Sequence, residues 1–363
     1  MDKLIILGDI GLVRDDFNKP LMLSEDLQKK LSSTITIANL EAAVTNTNLD
    51  KDLDIMQFVQ SSESLKSTSF INAFSLANNH INDLGFNGID KTKKILSSMG
   101  YSYFGLKSRP FFEKNNYRVI GAATYLNIDI SCPEKDAPVL TSDGGFWADL
   151  ESWLDTPANM VNIIYLHIGT IFNAFPSHVH LETIKRLANN PKIDFIVTSH
   201  SHCIGGFLPV DGAKTCFNLG DFFLNGIGNR RGRSIGLQVD QKKKSKLLFL
   251  KKNNDSVTYA KGLSFILIWL KTQWFFAGSK LIIGINFSLY YLFSAREFLS
   301  HFTSIGFGLF KKYGFRKSLN ILWVRRAEVA NSLSWLLPKN INKKDDIAAT
   351  AKNRKKITMK DLD

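Results

Sequence analysis

The run Leu4-Ile5-Ile6-Leu7-Gly8-Asp9 decides how this chain is read. Four consecutive apolar residues closing on a turn and an acid match a strand buried on both faces. They are too few for the apolar core of a secretory signal, so no such signal is expected and the N-terminal part is expected in the cytoplasm. The same design recurs downstream. Thr34–Ala38, Phe70–Leu76, Tyr117–Ala122, Val161–His167, Phe195–Thr198 and Lys214–Leu219 are further candidate strands. Helical patterns such as Asn87–Met99 and His180–Asn189 lie between them. Strands alternating with helices predict an α/β sandwich with ligands at the carboxyl ends of the strands.

Charge divides the 363 residues in two. Residues 1–240 carry 22 Lys and Arg against 26 Asp and Glu, and residues 241–363 carry 24 against 7. The whole excess of +13 therefore lies in the last third. A basic segment on an acidic domain points to an anionic partner. Three Cys imply no disulfide framework and suit a reducing compartment. Cys203 could be a soft extra metal ligand, but a core thiol is the plainer reading.

The strand ends carry the chemistry. Leu4–Leu7 leads to Asp9, and Ile35–Leu40 to Glu41. Phe74–Ala77 leads to Asn78-Asn79-His80, Ile163–Leu166 to His167, and Phe195–Thr198 to His200 and His202. His178 and His180 are ambiguous, at a loop or helix start, and His301 lies outside this half. A single strand-end His is more often structural. Five strand ends each delivering a ligand-type residue to one sheet edge are not explained that way. Imidazole, carboxylate and Asn carbonyl together suit a borderline divalent metal, and two carboxylates suffice to bridge two ions. There is no Gly-rich nucleotide loop and no Ser-His-Asp spacing.

Ordered along the chain, Gly8-Asp9-Ile10-Gly11-Leu12-Val13-Arg14, Asn39-Leu40-Glu41 and Ser75-Leu76-Ala77-Asn78-Asn79-His80-Ile81-Asn82-Asp83-Leu84-Gly85 resemble the CapA family. This is the family of capsule and poly-γ-glutamate synthesis, similar to calcineurin-like metallophosphoesterases. His167-Ile168-Gly169, Ser199-His200-Ser201-His202 and Asn218-Leu219-Gly220-Asp221-Phe222 agree in order. The resemblance covers residues 1–240, and its most specific motif is Ala77-Asn78-Asn79-His80. It implies a four-layer α/β/β/α sandwich holding divalent ions, expected to be two and to be Mn, Fe or Zn. Asp9 and Glu41 would be carboxylate ligands, with Glu41 a candidate bridge. Asn79, His167, His200 and His202 would complete the set. His80 would protonate or polarise the leaving oxygen, and Arg14 would neutralise phosphoryl charge. Such ions lower the pKa of bound water to about 7. The chain departs from the family pattern at Ile168, Ile171, Ser201 and Asp221, where Trp, Glu, Pro and Asn are usual. Losing the acid at position 171 removes a group of the kind that supports ligands, a loss that can weaken metal binding about 10–100-fold.

The implied function is a metal-dependent phosphoester hydrolase in capsule, exopolysaccharide or poly-γ-glutamate-type synthesis. The rival is a non-catalytic assembly or export factor that keeps the fold and metal. Either would work with polymer-synthesis machinery; the phosphorylated substrate is not specified.

Residues 241–261 read as a basic linker or edge hairpin. Residues 262–338 read as helical and membrane-associated, because 17 of the 42 aromatics fall between Leu263 and Trp335 among Lys and Arg. Trp269, Trp274, Trp323 and Trp335 would anchor, with Lys311, Lys312, Arg325 and Arg326 facing phosphates. Thr272–Ala295, 24 residues with Lys280 the one charged residue among them, is long enough for the ~20 residues of a spanning helix. Lys280 inside it costs about 2.5–3.5 kcal/mol at the bilayer centre, so a peripheral or monotopic seat on the inner, anionic face of the membrane is expected. A nucleic-acid partner for the basic segment is not expected. Residues 339–363 read as a disordered basic tail.

Overall fold

The computed structural model describes residues 3–12, 20–46, 57–124, 137–171, 173–210, 213–225, 232–253 and 256–285. The elements in the first half are β1 (Lys3–Leu12), β2 (Met22–Leu23), α1 (Glu25–Ser32), β3 (Ile35–Leu40), β4 (Ala43–Thr45), β5 (Val59–Ser61), α2 (Ser62–Leu65), β6 (Ala73–Ser75), α3 (Gly85–Ser98), β7 (Ser102–Phe104), β8 (Phe111–Lys114) and β9 (Tyr117–Ala123). They continue as α4 (Phe146–Trp153), β10 (Val161–His167), α5 (His178–Ala188), β11 (Phe195–Ser199), β12 (Gly206–Val210), β13 (Ala213–Phe217), β14 (Asp221–Asn225), β15 (Arg233–Asp240), β16 (Ser245–Asn253), β17 (Ser256–Tyr259) and α6 (Gly262–Ile285).

Among the described residues, nine strands form one sheet in the order β2-β17-β16-β15-β1-β3-β6-β7, with β14 also pairing β1. Six form a second sheet in the order β12-β13-β11-β10-β9-β8. Three apolar clusters show how these layers stack. Leu4 and Ile6 of β1, with Ile35 and Ile37 of β3, meet Val119, Ile163, Tyr165 and Val197 of the second sheet. The alternate residues Ile5 and Leu7 face the other way, onto Leu27 and Leu31 of α1 and Ile89 and Leu96 of α3. The second sheet turns Ile120, Ile164 and Ile196 outward, onto Phe146 and Leu150 of α4 and Ile184 and Leu187 of α5. The result is helix, sheet, sheet, helix: the four-layer α/β/β/α sandwich that the resemblance implies. Leu4–Leu7 is apolar throughout because both faces of its sheet are covered. Two phenols cross the central layer: Tyr165 Oη donates to the Leu7 carbonyl at 2.6 Å, and Tyr117 Oη to Val239 O at 3.2 Å.

The first sheet runs on past residue 240. β15, β16 and β17 form consecutive antiparallel pairs, and β17 pairs β2. Residues 241–261 thus supply two strands of this sheet. The helix that follows, α6, packs on β12 and β16. No helix among the described residues is long and apolar enough to cross a membrane. The expected seats at Trp323 and Trp335, the part of the candidate span beyond residue 285, and the tail 339–363 lie outside the described residues.

Candidate metal centre

β1 and its parallel neighbours set the site. Asp9 of β1 lies opposite Asn39 of β3 on one side and opposite Asp221 of β14 on the other. In the second sheet, His167 at the end of β10 lies opposite Ser199 at the end of β11. The chain leaves β11 straight into His200 and His202. Both adopt the left-handed backbone, with φ of 96° and 54°, as does Asn218 at 49°. Such a conformation costs a non-glycine residue about 1–3 kcal/mol and clusters at functional sites.

Two groups of ligand atoms result. Glu41, His167 and His200 form one, and Asp9, His202 and Asp221 the other; within each, the atoms lie within 4.8 Å of one another. Glu41 stands between them, with Oε1 3.2 Å from His167 Nε2 and Oε2 3.9 Å from His202 Nδ1. The Asn79 side-chain oxygen joins the first group, 2.6 Å from His167 Nε2. His200 Nδ1 approaches the same nitrogen at 3.0 Å.

Supporting residues hold these groups in place. Asn78 Nδ2 donates to Asn39 Oδ1 at 3.1 Å, and Asn39 Nδ2 donates to Asp9 Oδ1 at 2.8 Å. The other Asp9 oxygen accepts the His200 backbone N–H at 3.1 Å. His167 Nδ1 is flanked by Asn39 Nδ2 and Ser199 Oγ, at 3.1 and 3.2 Å. His202 Nδ1 lies 2.8 Å from Asp221 Oδ1. Partners of this kind orient ligating side chains and tune their basicity.

The site's own electrostatics fit a dication. Asp9, Glu41, His167, His200 and Asp221 are all buried. Burial, then the neighbouring Asp9, pushes Glu41 well above the usual carboxylate range. Burial also lifts Asp9 to about 6, against the pull of His202 and the Asn39 hydrogen bond. Burial, then the adjoining imidazoles, drives His167 and His200 well below their ordinary value. His202 resists the same burial and rises to about 10, because Asp221, Glu41 and Asp9 surround it. Both Glu41 oxygens and Asp221 Oδ2 are buried with no hydrogen-bond donor. One ring N–H on His167 cannot serve Asn79, Glu41 and His200 together. Cations among these atoms would satisfy the carboxylates and keep the imidazoles neutral.

His80 stands beside this cluster, close enough to oppose protonation of His167 and His200. Its ring stacks on Phe58, with centroids 3.9 Å apart and planes 6° apart. Its Nδ1 lies 2.7 Å from Asp83 Oδ2, which also accepts the Phe58 N–H at 2.6 Å. A carboxylate only accepts, so Nδ1 carries the proton and donates.

The fold therefore gathers Asp9, Glu41, Asn79, His167, His200 and His202, with His80 alongside. Arg14 lies outside the described residues. Cys203 belongs to the outer apolar cluster of the second sheet. Sequence reasoning assigned no role to Asp221, Asn39, Asp83 or Ser199. Asp221 was legible only as a departure; its place opposite Asp9 emerges from the β1–β14 pairing.

Residues 5–123 match the family of bacterial capsule synthesis proteins, PGA_cap. This matched stretch contains Asp9, Glu41, Asn79 and His80. His167, His200, His202 and Asp221 lie in the chain after the matched stretch. No curated protein matches the chain. Among solved structures, the calcineurin-like phosphoesterase YfkN from Bacillus subtilis aligns at 11% identity and a TM-score of 0.38, over 72% of this chain and 88% of that one. Another solved chain aligns at 13% identity and a TM-score of 0.36, over 68% of this chain and 97% of its own.

Proposed function

We propose that this protein is a metal-dependent phosphoester hydrolase serving synthesis of a bacterial surface polymer, of the capsule or poly-γ-glutamate kind. The observation that carries the reading is the pair of buried donor groups with Glu41 between them and without hydrogen-bond donors of its own. Glu41, Asn79, His167 and His200 would hold one ion, and Asp9, His202 and Asp221 a second, with Glu41 touching both. Divalent ions so held would polarise a phosphoryl oxygen and activate water. The chain's own residues do the rest. Asn39 aims Asp9, Asp221 aims His202, and the sheet edge fixes both groups before substrate arrives. His80, braced through Nδ1 by Asp83 and stacked on Phe58, would present Nε2 to the leaving oxygen and pass it a proton when the ring is in its imidazolium form.

His80→Asn tests that role. With a poor alkoxide leaving group, kcat falls about 10²–10⁴-fold while metal content is unchanged. With nitrophenolate, which needs no proton, the loss is much smaller. Equal losses on both substrates, or none, would remove His80 from the proton path.

A second reading, a non-catalytic assembly factor, is favoured by Ile171, where the resemblance leads one to expect an acid. Such a protein would complement a polymer-deficient strain when His80 is replaced; the hydrolase would not.

A further inference from the structure

Over the residues of α6 whose side chains are described, 262–273, the sandwich covers one side of the helix. On the inner side Ile268 and Thr272 are buried, and Phe265 meets Phe249 edge-on at 5.2 Å. Thr272 passes so close to β12 that a Cβ on Gly206 would lie 3.2 Å from its carbonyl oxygen. The other side is open to solvent, with Leu263 70% exposed and Ile266, Trp269 and Leu270 between 45% and 49%. Six large apolar side chains are exposed among the described residues, and five of them are on α6: Leu263, Phe265, Ile266, Trp269 and Leu270. Leu263, Ile266, Trp269 and Leu270 recur at helical spacing and form one stripe. A concentration like this marks a surface that meets something.

We propose that this stripe of α6 seats on an anionic lipid surface. Charge selects the occupant. α6 contains Lys271 and Lys280 and no acid, and residues 241–363 carry 24 basic residues against 7 acidic ones. The same stripe of a second copy, or the chain's own residues beyond 285, would bring like charge onto like charge. An anionic bilayer brings the opposite charge, and its interface accepts Trp and aliphatic side chains beside lysines. The helix lies in the surface rather than through it, because its inner side is already occupied by β12 and β16. The seat also has a defined place on the molecule. Gly206, under Thr272, pairs with Phe217 at the end of β13 and follows His202 by four positions. The lipid plane therefore runs past the sheet edge that carries the metal-binding residues. This inference is independent of the proposed hydrolysis.

The test is co-sedimentation of the full chain with vesicles of phosphatidylcholine alone or mixed with phosphatidylglycerol. The parent is expected to pellet with the mixed vesicles only. The variant Ile266→Gln/Trp269→Gln keeps every charge and changes only exposed side chains, and its affinity is expected to fall about tenfold or more. Circular dichroism and Tm of the variant check that the fold is kept; should it be lost, Leu263→Gln replaces it. Variant binding equal to the parent's would overturn the proposal, leaving basic charge alone as the attraction. So would a parent that ignores both vesicles, including one that is a dimer and becomes a monomer in the variant, which would assign the stripe to a second copy.

Discussion

Glu41→Gln is expected to abolish phosphoester hydrolysis while leaving the fold intact. Glu41 and Asp9 each lie within 4 Å of imidazoles from both donor groups; of the two, Glu41 is the one whose oxygens are both buried without hydrogen-bond donors. Gln keeps the volume but offers one oxygen and no charge. Losing even an outer partner of a metal ligand weakens binding about 10–100-fold, and losing the shared ligand exceeds that. The metal-free protein should respond in the opposite sense. Burying an ionised carboxylate is costly, so removing its charge leaves apo stability unchanged or higher. The check is Tm with and without chelator, beside turnover and metal content. A variant that loses apo stability yet still binds metal would make Glu41 a structural residue.

Gly8→Ala is expected to have the largest effect on folding. A Cβ at Gly8 would lie 1.8 Å from the Gly220 carbonyl oxygen. That atom is backbone and is held in turn, since it accepts the Asp9 N–H at 3.3 Å. Nothing at the contact can rotate away, so β1 and the turn before β14 must separate. Asp9 and Asp221, one residue beyond each side of this contact, would separate with them. A backbone overlap of this depth in a buried strand should cost more than about 4 kcal/mol. The control is Gly236→Ala, whose nearest obstacle is the movable Leu7 Cδ2 at 3.2 Å; it should cost about 1 kcal/mol or less. Urea denaturation of both compares them. Equal, small losses would show that the Gly8–Gly220 approach does not constrain the sandwich.

The parts legible in the sequence were those that local pattern determines. Val161–His167 reads as a strand because it is apolar, β-branched and bounded by turns, and β10 has those bounds. Asn87–Met99 reads as a helix from its apolar spacing, and α3 begins two residues earlier, at Gly85. The hairpin strands β15–β17 were harder to see. Along β16 half-buried Leu247 and Phe249 alternate with buried Leu248 and Leu250, and the lysines at positions 246, 251 and 252 around them mask that pattern. Ligands following apolar runs were visible because a strand end is a local feature. Asp221 was not assigned, because its role depends on β14 lying parallel to β1, a pairing across more than 200 residues of chain. The Asn78–Asn39–Asp9 relay was hidden for the same reason: each residue sits in a recognisable motif, but only the fold joins the motifs.

Elemental analysis of the purified full chain after equilibrium dialysis against Mn²⁺ and against Zn²⁺ tests the central claim most directly. Two buried donor groups sharing Glu41 predict about two ions per chain, retained on dialysis into metal-free buffer and reduced in Glu41→Gln. A chain that folds normally and binds no ion under any of these conditions would contradict the account.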